Sequence, residues 1–438
     1  MELVALAPGE VVRARRVRVA LLGLVPQHRV EAWQLAYCST DLHGVPEVAV
    51  TTVLRRQGSG APTGLIAYQC AIDAVADRCF PSYALRAGAR AWGALPQFEP
   101  VLIARLLGLG YVVSACDHEG LLGTFAAPRE PGHRVLDGVR AAMAFEQLDL
   151  PGGLPVGMFG YSGGGMATAW AAEMAPTYAP ELPIVGAVLG SPVGDPGEAF
   201  IKLNGGVFAG LPALVVSGLR HVYPGLAAVV REHASAVGKR RLDRLEDMTT
   251  TEACLRYSFD DFDDYLDAPL ADVLALPEVL EVFDDLRLGS QAPSCPLLVV
   301  QSTRDQIIDV DDVDSQVHRY VARGAEVLYL RDRLSEHISL MLLGFPVMLD
   351  WLEQRFEDHA APATVAVSPG TRPAGTHDRL SLALAPRSWA RLRAHGCRHR
   401  PHPGRTCVSV PHRRVDAVPA RAAWEGRGRR IQGGEGSR

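Results

Sequence analysis

The hydrophobic positions of this chain form short runs that are separated by longer amphipathic stretches. Two β-branched runs, 33–40 and 47–54, flank the turn-forming segment DLHGVP and predict an antiparallel hairpin. Later apolar runs lack polar alternation, which is typical of strands buried on both faces. These runs lie at 65–68, 111–115, 155–159, 184–190, 296–300 and 326–330.

Apolar residues at helical spacing fill the intervals between these strands. The helical pattern is clearest at 97–107, 134–147, 164–174, 310–323 and 345–357. Alternation of strand and helix predicts an α/β fold in which helices flank a mostly parallel central sheet. The hairpin would form an antiparallel edge through which the chain enters that sheet.

Two stretches break this alternation. Residues 196–290 are mainly helical and acidic, and we interpret them as a helical cap inserted between two core segments, 1–195 and 291–360. The alternative is a structural subdomain with no role over a site. Residues 361–438 are rich in Ala, Pro, Arg and Gly and show no periodicity. Such a composition buries too little apolar surface to offset the entropy lost on ordering, so we predict a disordered tail.

Charge and apolar length exclude two classes of partner. The net charge is −5, but residues 361–438 carry 15 Arg against 4 acidic residues, which leaves −16 on residues 1–360. An acidic body of this size argues against nucleic acid as a partner. No apolar run reaches about 18 residues, so no transmembrane segment is predicted. The N-terminal apolar stretch is short and interrupted, so no signal peptide is predicted either.

The motif with the clearest chemistry is Gly160-Tyr161-Ser162-Gly163-Gly164, which lies between a predicted strand and a predicted helix. A serine on such a sharp turn projects clear of the sheet, and glycines at the flanking positions leave room for the turn. The amide of Gly163, at the start of the helix, is placed to stabilise an oxyanion. The alternative is a glycine-rich turn that only packs the helix on the strand.

A serine nucleophile needs a histidine base and a carboxylate that orients the histidine, in the order Ser, acid, His. Asp305 follows the strand at 296–300, and His337 lies in the loop after the strand at 326–330. Both are therefore expected at the sheet edge of Ser162. His337 could instead be an ordinary surface histidine. Other candidates fit less well, because they cap or lie within the next helix or follow the last one: Asp309, Asp311, Asp312, Asp314, His318 and His359.

The sequence lacks the usual signatures of a cofactor. No Cys or His spacing typical of a metal site is present, and no glycine-rich phosphate loop follows the first strand. We therefore expect chemistry without a metal or cofactor. Eight cysteines in 438 residues leave the redox compartment open.

Beyond the pentapeptide, several longer stretches resemble the secretory lipase family of fungi and actinobacteria. They include WQLAYCSTDLHGVPEVAVTTVL, LGYVVSACDHEG, GYSGGGMATAWAAEMAPTYAPELP, the STRDQIID loop and EHISL, within residues 9–357. The resemblance implies an α/β-hydrolase fold with a cap inserted before the catalytic acid. It also implies a triacylglycerol or other acyl-ester substrate, met at a lipid–water interface.

The resemblance carries further expectations about single residues. The second oxyanion donor would be the backbone amide of Asp73, with Asp77 as the alternative, although Asp73 could simply initiate a helix. A disulfide would join the Cys79 region to the cap, with Cys254 as the expected mate. Members of the family are usually exported, so we expect a secreted protein, with a cytoplasmic one as the alternative.

Together these patterns favour a carboxylic-ester hydrolase that releases fatty acids through an acyl-enzyme. In this hypothesis Ser162 attacks the ester, His337 moves the proton and Asp305 orients His337. Two related activities remain open, namely short-chain carboxylesterase and acyltransferase. A hypothesis of another class is a catalytically silent lipid-binding protein on a hydrolase fold.

Overall fold

The computed structural model describes residues 5–360. The predicted disordered tail, 361–438, lies outside the described residues. Within them, nine strands form one sheet in the order β1-β4-β5-β7-β6-β8-β9-β10-β11, and a small two-stranded sheet joins β2 to β3. The strands are β1 (Val11–Val17), β2 (Ala20–Leu21), β3 (Val25–Pro26), β4 (Val30–Thr40), β5 (Pro46–Arg56), β6 (Leu65–Gln69), β7 (Val112–Cys116), β8 (Val156–Tyr161), β9 (Ile184–Gly190), β10 (Leu297–Ser302) and β11 (Val327–Asp332).

The helices pack on both faces of this sheet and fill the long interval between β9 and β10. They are α1 (Pro81–Ala84), α2 (Pro100–Gly108), α3 (Glu130–Ala144), α4 (Gly163–Tyr178), α5 (Pro196–Leu203), α6 (Gly210–Leu219), α7 (Pro224–His233), α8 (Ala236–Leu245), α9 (Thr250–Arg256), α10 (Leu270–Leu274), α11 (Pro277–Leu286), α12 (Val310–Ala322), α13 (His337–Leu343) and α14 (Phe345–Ala360).

The predicted mostly parallel sheet is confirmed. Strands β6 to β11 pair in parallel, whereas β1, β4, β5 and β7 pair antiparallel along one side. Every residue of β6, β7, β8 and β10 is buried, because helices cover both faces. Helices α3 and α4 pack on one face, and α2 and α14 on the other. This two-sided core holds the strand ends rigidly.

The predicted hairpin is present as β4 and β5, but the edge strand β1 was not predicted. Its sequence, VVRARRV, has three arginines, and four of its seven residues are exposed. Arg15 bonds Gln34 and Arg16 pairs with Glu31 on β4, at 2.8 Å. A strand with only one neighbour and a solvated face needs few apolar residues, so apolar runs cannot reveal it.

The interval between β9 and β10 folds into helices α5 to α11, which we call the helical segment. Within residues 5–360, no single helix is long and apolar enough to span a membrane. Helices α6 and α7 taken together have the length and composition of a span, but they are bent by 119° relative to each other. The disulfide implied by the resemblance is not formed, since Cys79 and Cys254 are both free thiols. Cys79 is buried inside the loop region that follows β6.

Candidate active site

Ser162 is the single residue between β8 and α4, and its backbone is strained. Its φ of 56° and ψ of −123° lie in a region that side-chain-bearing residues rarely adopt. The Ser162 amide donates to the carbonyl of Gly190 on β9 at 2.8 Å, which holds the turn. The strain is therefore imposed by the strand-to-helix connection, as expected for a nucleophile elbow.

The glycines around Ser162 allow backbone segments to approach each other closely. A Cβ on Gly160 would lie 2.0 Å from the carbonyl oxygen of Gly164, and a Cβ on Gly164 would lie 2.1 Å from the carbonyl oxygen of Gln69. Both contacts are with backbone atoms that cannot move aside. Gly163 begins α4, where the helix itself supplies no acceptor for the first amides. Its N–H is therefore placed at the positive end of the helix dipole.

The structure brings Ser162, His337 and Asp305 together. The Ser162 Oγ lies 2.9 Å from the Nε2 of His337, and the Nδ1 of His337 lies 2.7 Å from the Oδ2 of Asp305. The three residues lie at the carboxyl ends of β8, β10 and β11, which are parallel. Both imidazole nitrogens of His337 therefore lie within hydrogen-bond distance of a partner, Nε2 of the serine hydroxyl and Nδ1 of the carboxylate.

Asp305 is held as an ionised carboxylate. Its Oδ1 accepts the amides of Ile307 and Ile308, each at 2.8 Å, and its Oδ2 also accepts from Gln301 Nε2 at 3.2 Å. Burial raises the pKa of Asp305, but the bond to His337, its charge and the two amides outweigh burial and hold that pKa below its usual value. The carboxylate therefore stays charged beside the imidazole.

His337 differs from its predicted position in a loop, because it is the first residue of the short helix α13. Glu336 caps this helix by accepting the amides of Ile338 and Ser339. The helix was missed because it spans only seven residues and follows a stretch rich in polar and charged residues, RDRLSE. Its effect is to tie the backbone of His337 to a defined helix terminus.

Two further contacts hold the His337 backbone. The hydroxyl of Tyr161 donates to the His337 carbonyl at 2.5 Å, and Gln306 Oε1 accepts the His337 amide at 3.1 Å. Tyr161 was expected as part of the serine turn, but its contact with the histidine was not. Gln306 was not singled out at all, since a glutamine in a loop carries no signal at the level of sequence.

The alternative acids and histidines are engaged elsewhere. Asp309 caps α12, Asp312 accepts the Asp195 amide at 3.1 Å, and Asp314 accepts from the hydroxyl of Tyr329 at 2.8 Å. Asp311, His318 and His359 are exposed. None of these side chains contacts the line from Ser162 to Asp305.

Asp73 lies beside Gly163, the residue that follows Ser162. Its backbone amide donates to Glu119 Oε1 at 3.0 Å, so this amide already has an acceptor. The group that faces the site is its carboxyl: a Cβ on Gly163 would lie 1.8 Å from Asp73 Oδ1. Burial raises the pKa of Asp73 to about 7, against a smaller lowering by His337. The alternative residue, Asp77, is exposed.

Ser162 opens into a large apolar cavity. The cavity holds about 1560 Å³ of empty space, part of it open to solvent, and its lining includes Ser162, Gly163 and Asp73. Most of the other lining residues are apolar and come from the helical segment. Away from the serine, the charged lining side chains within the described residues are Arg241 and Asp260, which pair with each other. Such a space accepts a long apolar group and orients it toward the serine.

Among the described residues, no group of three or more His, Cys, Asp or Glu side chains could hold a metal ion. The residue that sequence reasoning missed most clearly is Glu119, which is fully buried and binds the Asp73 amide. Its signal was available, since it follows β7 at the sheet edge of Ser162. A buried acidic side chain just after a strand is unusual and therefore points to a specific role.

The chain is similar to known proteins of one family. The model of the secretory lipase family matches residues 85–363. The chain is 52% identical over 351 residues to a "Probable inactive lipase" of Mycobacterium tuberculosis, covering 80% of this chain and 78% of the relative. It is 31% identical to Lipase A of Arthroderma benhamiae, covering 80% and 76%.

A solved structure supports the same relationship. Candida antarctica lipase A in its closed state superposes with a TM-score of 0.74 at 26% identity, covering 82% of this chain and 85% of that protein. The family model spans well over half of this chain, and the curated relatives cover most of it. The chain therefore belongs to the secretory lipase family and has the α/β-hydrolase fold.

Proposed function

We propose that this protein is a serine-nucleophile carboxylic-ester hydrolase, and specifically a triacylglycerol lipase that works through an acyl-enzyme. The observation that carries the proposal is the unbroken hydrogen-bonded line from Ser162 Oγ through His337 to Asp305. A strained serine that lies within hydrogen-bond distance of an imidazole, itself bonded to a carboxylate, is the arrangement that nucleophilic catalysis requires.

In the proposed reaction, Ser162 Oγ attacks the ester carbonyl carbon while His337 Nε2 takes the hydroxyl proton. Asp305 stabilises the resulting imidazolium through Nδ1. The imidazolium then gives its proton to the departing alcohol, which leaves the acyl group on Ser162. A water molecule attacks this acyl-enzyme, His337 takes its proton, and transfer of that proton to Ser162 releases the fatty acid.

The negative oxygen formed in each attack would be stabilised by two groups beside the serine. The Gly163 amide is one donor. We propose that Asp73 supplies the second from its carboxyl rather than from its amide, since a carboxyl group donates when it carries its proton. Its pKa of about 7 keeps a large share protonated at neutral pH.

The cavity supports an acyl chain as the apolar part of the substrate. We propose that the helical segment acts as the cap, because side chains from α5, α7 and α11, such as Phe200, Val229 and Phe283, line the space that leads from Ser162. Burial of each methylene contributes roughly 0.8 kcal/mol, so a long chain gains more than a short one. We also propose secretion, in keeping with the family.

Substitution of Ser162→Ala tests the catalytic proposal. We expect hydrolysis of nitrophenyl esters, tributyrin and triolein to fall at least about a thousandfold, while circular dichroism stays unchanged. Ser315→Ala, an exposed helix position, is the matched control and should keep full activity.

The same assay separates the alternatives. Preference for butyrate over oleate esters would favour a short-chain carboxylesterase, and ester formation with added alcohol would favour an acyltransferase. If the wild-type protein reacts with no fluorophosphonate probe but binds fatty acid, the catalytically silent lipid-binding hypothesis replaces this proposal.

A further inference from the structure

Two residues that directly follow β7 hold the loop that leads from β6 into the site. Asp117 and His118 are buried, and each binds a backbone atom of the segment 70–82, which runs from the end of β6 into α1. Asp117 Oδ1 accepts the amide of Ser82 at 2.8 Å, and His118 Nε2 lies 2.8 Å from the carbonyl oxygen of Cys70. Because a carbonyl only accepts, the Nε2 of His118 must carry the hydrogen. Burial lowers the pKa of His118 to about 4, so the ring is neutral.

Between these two attachment points the loop passes through Asp73 in an unfavourable backbone conformation. The φ of Asp73 is 49°, in the left-handed region that costs a non-glycine residue free energy. Such a conformation persists only where surrounding contacts determine it. Two hydrogen bonds hold the backbone of this residue: Glu119 Oε1 accepts the Asp73 amide at 3.0 Å, and the Thr250 hydroxyl donates to the Asp73 carbonyl at 3.1 Å.

Glu119 is well suited to be a fixed acceptor. It is 2% exposed, and Gly120, the next residue, has a φ of 75° and could not carry a Cβ without meeting Glu130 Oε1 at 2.1 Å. The backbone that carries Glu119 is therefore closely packed. Burial raises the pKa of Glu119 well above its usual value, and a protonated carboxyl still has an oxygen that accepts.

The amide and the carboxyl of Asp73 have different neighbours. With the amide bound to Glu119, the Asp73 carboxyl lies against Gly163, and its buried Oδ1 has no hydrogen-bond partner among the described residues. An unpaired buried oxygen costs free energy unless it serves a ligand. The cavity beside Ser162 is where that ligand would lie.

We propose that Glu119 is a positioning residue: by accepting the Asp73 amide hydrogen, it turns the Asp73 carboxyl toward the oxyanion that forms beside Ser162. The kinetic consequence rests on the proposed ester hydrolysis. The geometric part does not, because it concerns only the orientation of Asp73.

Two substitutions of Glu119 separate the effect of its hydrogen-bond acceptor from the effect of its charge. Glu119→Gln keeps an acceptor oxygen, so kcat should stay within about threefold of wild type. Glu119→Met keeps the length but loses the acceptor, so kcat should fall about 10- to 100-fold while KM changes less than about threefold, since an oxyanion donor acts mainly in the transition state. Glu173→Met is the matched control, because Glu173 is also buried and binds backbone amides, but far along α4. Its kcat should stay within about threefold.

A crystal structure of Glu119→Gln provides a readout that needs no activity. We expect the substituted carboxamide oxygen to accept the Asp73 amide and the Asp73 carboxyl to stay beside Gly163. The inference is overturned if that contact is lost while kcat is retained, if Glu119→Met keeps wild-type kcat, or if Glu173→Met loses as much kcat. If wild-type protein hydrolyses no ester, the proposed function fails, and the crystal structure alone decides the orientation of Asp73.

Discussion

The hydroxyl of Tyr161 links the two chemical partners of the site through the backbone. Tyr161 precedes Ser162 in the chain, and its side chain donates to the carbonyl of His337, 176 residues later. Its ring also lies beside the imidazole, with the ring centroids 5.4 Å apart. The serine turn and the start of α13 are therefore joined by one side chain.

Tyr161→Phe should lower kcat about fivefold to tenfold with little change in KM. The substitution keeps the ring and removes the hydroxyl's hydrogen bonds to the His337 carbonyl and to Ser191 Oγ, and one such bond contributes about 0.5–1.5 kcal/mol net. Steady-state kinetics on a nitrophenyl ester measure the effect. Tyr320→Phe removes a buried hydroxyl from Glu173 and is the control. Equal losses in the two variants would show that general destabilisation is responsible.

The two polar groups of Asp73 show what a sequence motif leaves undetermined. The resemblance points to Asp73, and the structure brings it beside Gly163, where its carboxyl is the nearby group and its amide donates to Glu119. A motif identifies which residue is present. It carries no information on which of that residue's polar groups is already bound by a partner 46 positions away.

At the scale of elements, the helical segment leaves and rejoins the sheet domain at one place. The amide of Leu288 donates to the carbonyl of Gly194 at 3.0 Å, so the two crossings lie side by side. Arg319 on α12 donates to the carbonyl oxygens of both residues, at 2.7 Å to Leu288 and 3.3 Å to Gly194. Arg287 also donates to Asp195, the N-cap of α5, at 2.5 Å.

Arg319→Met should loosen the base of the helical segment. Two buried carbonyls would lose a charged donor, which costs about 1–3 kcal/mol of unfolding free energy. Hydrogen exchange should rise at residues 194–195 and 287–288 more than in the sheet, and the thermal midpoint should fall. Arg16→Met, which removes an exposed ion pair, should change neither. Unchanged exchange at both crossings would contradict this prediction.

Element prediction from sequence succeeded where local pattern carries the signal. The buried strands and the long amphipathic helices were located to within a few residues. The edge strand β1 and the seven-residue helix α13 were missed. Both depend on neighbours instead of on their own periodicity: β1 is held by pairing with β4, and α13 by a capping box at Glu336.

For the whole molecule, several buried ionisable groups make stability depend on pH. Burial raises the pKa of Asp73 and Asp312 to about 7 and that of Glu99 to about 8. These groups keep their protons in the folded state after the unfolded chain has released them, so stability falls as pH rises toward those values. Burial lowers the pKa of His118 and His133 to about 4, which has the opposite effect between about pH 4 and 6.5.

As pH rises above about 6.5, the two histidines become neutral in the unfolded chain as well, and the buried acids come to dominate. We therefore expect the thermal midpoint to fall between about pH 6.5 and 8. Differential scanning calorimetry at half-unit steps checks this. Glu99→Gln removes the group with the highest of the three values and should flatten the decline near pH 8. A midpoint that rises through this window would show that the acids are already ionised in the folded protein.

The sequence by itself determined the order of the buried strands and long helices, the α/β class and the three residues of the proposed triad. These follow from local rules, because burial on two faces produces uniform apolar runs and a sharp strand-to-helix turn requires glycines. The catalytic roles of Ser162, Asp305 and His337 remain predictions.

The tertiary structure alone decided how the side chains meet. The distance of 2.9 Å between Ser162 and His337, the capture of the Asp73 amide by Glu119 and the bond from Tyr161 to His337 all join residues far apart in the chain. Each depends on packing of the whole sheet domain, since a hydrogen bond needs distance and direction that no local pattern specifies.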